Sequence, residues 1–230
     1  MNDTPDQTES HQPASDLNDS DTLAAALARH DIDLPSEQIE ALDRYCRLLW
    51  DWNQKLNLTR HTTYEKFTSR DVVDSLALEQ FLDAGNRVLD VGTGGGVPGV
   101  VLAILRPDLS VELCESMAKK AKTVQAIVTE LGLDIPVHHA PAQQVLGYRS
   151  FDTLVARAVA PLTNLLTWLA PHWDAFGRLL VIKGPAWVEE RGAARERGLL
   201  RPLELRKVYS YPLPGTESES VVLSITPREV

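Results

Sequence analysis

Cysteine is nearly absent: Cys46 and Cys114 are the only two in 230 residues, and they stand far apart. This excludes a disulfide framework and a cysteine-based zinc site, leaving two small apolar side chains suited to a core. Long hydrophobic runs are missing as well, none approaching the roughly 18 residues that cross a bilayer. The opening Met1-Asn2-Asp3-Thr4-Pro5-Asp6 has neither the basic end nor the apolar stretch of a secretory signal. A cytoplasmic protein without a membrane association is expected. The six histidines form no ligand-spaced cluster; His138 and His139 adjoin on one strand and face opposite ways, so no metal site is expected. No serine or cysteine nucleophile stands at a recognisable spacing from a base.

Basic residues are scarce at the beginning of the chain. Residues 1–40 hold ten acids against Arg29 alone, which accounts for the whole formal charge of -9 and leaves residues 41–230 neutral. An evenly acidic protein would repel nucleic acid, but this one is not evenly acidic. Arg191, Arg195, Arg197, Arg201, Arg206 and Lys207 crowd one stretch, opposed by Glu196 and Glu204, and an anionic partner fits there.

Residues 1–20 are Asp, Ser, Thr, Asn, Gln and Pro with almost nothing apolar to bury, and read as a disordered acidic tail. Residues 21–84 read as a helical N-terminal unit. Its longest helix opens at Pro35-Ser36, with Ser36 as the expected cap and Ile39, Leu42, Tyr45, Cys46, Leu49 and Trp52 at three- and four-residue steps. From residue 85 to 230, short apolar runs alternate with amphipathic segments, the pattern of βαβ units and a parallel sheet. Strands are expected at Arg87–Val91, Ser110–Cys114, Val137–His139, Thr153–Arg157 and Leu179–Lys183, with helices starting at Val97, Met117, Leu162 and Ala186. Glu204–Tyr211 and Ser220–Thr226 follow one another directly and read as an antiparallel hairpin closing the sheet edge.

The strongest chemical signal is Val88-Leu89-Asp90-Val91-Gly92-Thr93-Gly94-Gly95-Gly96-Val97-Pro98-Gly99, a strand entering a glycine-rich turn and then a helix. Glycines such as Gly92 and Gly94 let backbone approach a ligand, and a helix start offers unpaired N–H groups. Gly94 to Gly99 formally fits a dinucleotide fingerprint, so an NAD-type oxidoreductase is one reading. Asp90 at the strand end would oppose a pyrophosphate and favour a cofactor carrying ammonium and sulfonium groups, which points to S-adenosylmethionine. Glu115 ends the second strand, where an acid accepts both ribose hydroxyls. Lys119, Lys120 and Lys122 read as a solvated helix face. Arg157 lies in an apolar run at a strand's carboxyl end, either as a ligand contact or in an ion pair with Asp90 or Asp152. Lys183 occupies the same rim one strand later, and an exposed tryptophan could stack a base.

These residues resemble a family. Asp90 to Gly99, with Asn57-Leu58-Thr59 and Asp74-Ser75-Leu76 before it and Val155-Ala156-Arg157-Ala158 and Ile182-Lys183-Gly184 after it, is similar to the bacterial ribosomal RNA small-subunit methyltransferase G family, also called the glucose-inhibited division protein B family. The likeness covers roughly Ile39 to Thr226, and Gly-Val-Pro-Gly is its most specific part. It implies a class I S-adenosylmethionine-dependent methyltransferase fold, a Rossmann-like α/β sandwich with the helical unit against it. It also implies methylation of guanine N7 in small-subunit (16S) ribosomal RNA, naked or in a precursor particle, by a monomer. Cofactor contacts carried over by the resemblance are Gly92 and Val97 of the loop, Ala142-Gln143 after the third strand, and Arg157 after the fourth. Gln143 departs from the usual glutamate, keeping an acceptor without its charge. Asp71 stands where a histidine is common. No catalytic acid or base is assigned, since N7 carries a free lone pair and loses no proton; Arg157 or Lys183 is the expected donor to guanine O6. A non-catalytic RNA-binding factor on the same fold is the remaining alternative.

Overall fold

The computed structural model describes residues 21–213 and 217–228; the expected tail at residues 1–20 lies outside them, as do Pro214 and Gly215 of the hairpin turn. The helical segment begins with α1 (Leu23–Arg29) and α2 (Ser36–Asn53). One short turn, α3 (Tyr64–Lys66), then runs into a π-helix at Phe67–Val72 and on into α4 (Val73–Glu79). Thr22 and Thr63 cap α1 and α3, accepting from Ala25 N at 3.1 Å and Lys66 N at 3.2 Å. Ser36 does not cap α2: it is the first helical residue, and Pro35, which carries no side-chain acceptor, holds the capping position.

The sheet follows as β1 (Arg87–Val91), α5 (Gly99–Leu105), β2 (Ser110–Cys114), α6 (Ala118–Leu131), β3 (Val137–His138), α7 (Ala142–Leu146) and β4 (Phe151–Arg157). It continues through α8 (Leu162–Leu169), β5 (Phe176–Lys183), α9 (Trp187–Glu196), β6 (Leu203–Pro212) and β7 (Glu219–Pro227). Strand order is 3-2-1-4-5-7-6, with β1 to β5 parallel and β7 antiparallel to both β5 and β6. The five parallel strands and the closing hairpin match the sequence reading; α7 and the π-helix were not foreseen. The helix expected from Val97 starts at Gly99, because the glycine turn extends through Pro98.

Alternation along the strands sorts the core into two layers. Val88, Leu113 and Val155 point to one side, where they meet Val100 and Val101 of α5, Val124 and Ile127 of α6, and Leu42, Tyr45, Cys46 and Leu49 of α2. Leu89, Val91, Leu154 and Ala156 point to the other side, onto Leu162, Leu165 and Leu166 of α8. The N-terminal helices therefore share a core with the sheet. Tyr45, fully buried on α2, donates its hydroxyl to Gly95 O at 3.1 Å, so the helical segment is fastened to the glycine turn itself. Among the described residues, no helix is long and apolar enough to cross a membrane.

Candidate active site

Strand order reverses between β1 and β4, and in open α/β sheets ligands bind outside the carboxyl ends at such a point. There the chain leaves β1 through Gly92 and Thr93, whose N–H groups both donate to Cys114 O at 3.0 Å. Gly94 follows at φ +60°, and its N–H donates to Glu115 Oε2 at 3.1 Å, while Glu115 Oε1 accepts from Met117 N at 2.8 Å. Glu115 thus stitches the glycine turn to the turn after β2, and it still lines the cavity between them.

Asp90 plays a different part from the one its position suggested. It is fully buried beneath the turn, with Oδ2 accepting from Thr93 Oγ1 at 2.6 Å and Gly99 N at 2.9 Å, and Oδ1 without a partner among the described residues. It does not line the cavity, so the electrostatic argument built on it fails; Glu115 is the carboxylate on the cavity wall. Burial pushes the Asp90 carboxyl up to about 6 from an ordinary 3.8, against the pull of its two hydrogen bonds. Between those values the folded protein binds a proton that the unfolded chain does not. Stability relative to Asp90→Asn is therefore expected to rise as pH falls from about 6 to about 4, by on the order of 2 kcal/mol. Urea titrations of both proteins across that range measure it; a stability difference that stays flat with pH would sink the assignment.

Two cavities share the rim. One, of about 410 Å³, is lined by Gly92, Gly94, Val97, Glu115 and Arg157, with Leu49, Leu58 and Thr59 contributed by the helical segment. The other, of about 180 Å³, is an apolar slot bounded by Ala142, Gln143, Leu165 and Trp168. They meet at Gly92, Ser116, Val159 and Trp168. All seven residues singled out in the sequence thus line these two adjoining cavities. Leu58 and Thr59 are held over it by Asn53, whose side-chain oxygen accepts from their N–H groups at 2.8 and 2.9 Å. Trp168, 40% exposed, is on the walls of both cavities.

Arg157 is indeed in an ion pair, but not with Asp90 or Asp152. Its Nη2 meets Asp71 Oδ1 at 2.6 Å and its Nη1 meets Asp74 Oδ2 at 3.0 Å, both carboxylates coming from the helical segment and both buried. Asp71 Oδ1 also contacts His61 Nδ1 at 2.8 Å, and Asp74 Oδ1 accepts from the Tyr211 hydroxyl at 2.6 Å. Asp152 instead accepts from Arg87 N at 2.7 Å. A third cavity, of about 570 Å³, opens on the far side of Arg157 and Ala158, with His61, Arg70, Lys183 and Ser220 on its walls. Lys183 is engaged there: its Nζ donates to Ala160 O at 2.6 Å and pairs with Glu190 at 2.7 Å.

The sheet order and the glycine turn with its carboxylate at the end of β2 define a class I S-adenosylmethionine-dependent methyltransferase, and solved structures agree on the fold. A mutant of MtNAS in complex with S-adenosylmethionine aligns with a TM-score of 0.53 at 14% identity, over 91% of this chain and 86% of that one. A dimethyladenosine transferase from Plasmodium falciparum aligns at 0.50 and 16%, over 69% of this chain and 62% of that one. The family model described as rRNA small subunit methyltransferase G matches residues 38–211. A ribosomal RNA small subunit methyltransferase G of Rhodopirellula baltica is 47% identical over 194 residues, 84% of each chain, and one of Moorella thermoacetica is 37% identical over 86% of each. The chain belongs to the rRNA small subunit methyltransferase G family. Its membership leaves the oxidoreductase and non-catalytic alternatives without support.

Proposed function

We propose that the chain, acting in the cytoplasm as a monomer, transfers the methyl group of S-adenosylmethionine to N7 of a guanine in small-subunit ribosomal RNA. The observation that carries this reading is the meeting of the cofactor space with the third cavity at Arg157 and Ala158, which leaves room for a donor on one side and a base on the other. The residues suit the cofactor. Glu115 offers a carboxylate to ribose hydroxyls, the glycine turn leaves the wall free of side chains, and the slot between Ala142, Gln143 and Trp168 accepts a flat apolar ring. When bound, the cofactor supplies an electrophilic methyl on sulfur. The protein's own residues then have to hold guanine N7 in line and keep water out, and no side chain has to take a proton.

The base-side donor in this reading is Arg70, not Arg157 or Lys183. Both arms of Arg157 rest on Asp71 and Asp74, and Lys183 is bonded to Ala160 and Glu190. Arg70 lines the same cavity, and its guanidinium makes no hydrogen bond or ion pair with the described residues. It stands on the π-helix, between the buried Ser69 and Asp71; such insertions re-aim side chains and recur at functional sites. An arginine donor suits guanine O6 and opposes the amino group that adenine carries there. Incubating the chain with S-adenosylmethionine and small-subunit RNA should yield 7-methylguanosine by mass spectrometry. Arg70→Met should lower kcat/KM for RNA by about 10- to 100-fold, equivalent to roughly 1–3 kcal/mol, with unchanged cofactor affinity. Absence of 7-methylguanosine would overturn the reaction; unchanged kinetics would overturn only the role of Arg70.

A further inference from the structure

A cleft of about 400 Å³ lies away from the rim, between the C-terminal half of α9 and the start of β6. Arginines from three separate stretches converge on it: Arg191 and Arg195 from α9, Arg201 from the turn after it, and Arg228 just beyond β7. Glu204 is the single acid on its walls, and its carboxylate is taken by Arg206 at 2.8 Å. Arg191, Arg195 and Arg201 have no ion-pair partner among the described residues. So uncompensated a set of cations is unexpected in a chain whose charge is otherwise neutral or acidic, and it makes the cleft a place where an anion would be drawn.

The set is also arranged in advance. Arg191 lies over the Trp187 ring, 5.0 Å from its centroid, and Arg228 Nε donates to Leu203 O at 3.0 Å. Gly198 turns the chain at φ +74°, a conformation that favours glycine, and the turn brings Arg201 beside it, within ordinary contact distance of where a Cβ would stand. All four cations are arginine, whose planar fork matches phosphate oxygens two at a time, and none is the more loosely directed lysine. Arg191 and Arg195 stand one helical turn apart on one face of α9.

Position matters as much as charge. α9 leaves the rim just after Lys183 and runs about 15 Å back along the sheet, ten residues at 1.5 Å each. Leu203 pairs with Pro227 at the end of the hairpin away from the Lys183–Val221 pair, so the cleft lies toward the opposite end of the sheet from methyl transfer. We propose that this cleft is a second contact for the RNA substrate, gripping backbone phosphates of a segment that passes down α9 while the target base occupies the rim. This rests on the proposed reaction for the identity of the RNA, but it adds a site that the reaction itself does not require.

The test is the doubly reversed Arg195→Glu, Arg201→Glu protein, neither residue being part of the rim. Filter binding of small-subunit RNA across a salt series should show the slope of log affinity against log salt reduced by about 1.4 to 1.8, the loss of two phosphate contacts. KM for RNA should rise at least tenfold, while kcat at saturating RNA and S-adenosylmethionine affinity by calorimetry stay at their original values. Gly198→Val, which adds bulk beside Arg201 and changes no charge, should shift RNA affinity in the same direction. An unchanged slope and KM in a folded double variant would overturn the proposal. So would equal competition for the cleft by inorganic pyrophosphate with RNA binding untouched, which would make it a small-anion site. Because the slope is read on binding, failure of the unaltered chain to methylate RNA would count against the reaction and not against the cleft.

Discussion

Gly94→Val is expected to leave the protein folded and to weaken S-adenosylmethionine binding by about 100-fold, roughly 3 kcal/mol. Two causes combine. Gly94 holds φ +60°, a conformation that costs an ordinary residue about 1–2 kcal/mol and a β-branched one more. A Cβ there would meet nothing nearer than Gly92 O at 4.0 Å, so the added side chain meets no immediate neighbour at its Cβ and extends into the space proposed for the cofactor. Gly99, five residues on, is expected to behave in the opposite way. A Cβ there would stand 2.2 Å from Leu113 Cδ2 and 2.8 Å from Asp90 Oδ2, both in the core, so Gly99→Ala should cost stability, about 1–3 kcal/mol, before it touches binding. Calorimetry with the cofactor and urea denaturation on both variants separate the two. Near-original affinity in a folded Gly94→Val protein would remove this turn from the cofactor site.

That contrast also marks what could be read from the sequence. The glycine turn, Glu115 and the strand ends are local features: each depends on residues within about one βα unit, and the rules for strands, turns and helix starts act at that range. Ala142 and Gln143 were reached through the family likeness and fall on the apolar slot. The partners of Arg157 were not legible, because the pairing with Asp74 spans 83 residues and joins an α/β rim to a helix that precedes the sheet. A single arginine in an apolar run announces that a counter-charge exists; it does not say where. Asp90 was misjudged for a related reason. A carboxylate at a strand end can turn toward a ligand or under its own loop, and the choice depends on Thr93 and the Gly99 N–H closing over it in three dimensions. The π-helix left no trace either, since one extra residue in a helical stretch alters which side chains face the cavity without disturbing the apolar pattern around it.

Arg157→Met should be the most destabilising single change in the site, by about 3–5 kcal/mol, because it strands two buried carboxylates that the arginine now shares. Asp71 sits on the π-helix, Asp74 on α4, Arg157 at the end of β4 and Tyr211 on β6, so the cluster fastens the helical segment to both the parallel strands and the hairpin. The two aspartates share one arginine in a water-poor place, and the His61 ring lies 2.8 Å from Asp71. Removing the cation alone therefore leaves the worst combination. Adding Asp71→Asn and Asp74→Asn to Arg157→Met should restore much of the loss, because the amides keep acceptors for Tyr211 and His61 and no longer bring charge into the interior. The three substitutions are thus expected to be strongly non-additive, with the triple variant more stable than Arg157→Met alone. Urea unfolding of the single, double and triple variants gives the coupling directly. Simple additivity, or a loss below about 1 kcal/mol for Arg157→Met, would show that the cluster does not hold the helical segment to the rim and that Arg157 is free to serve the ligands on either side of it.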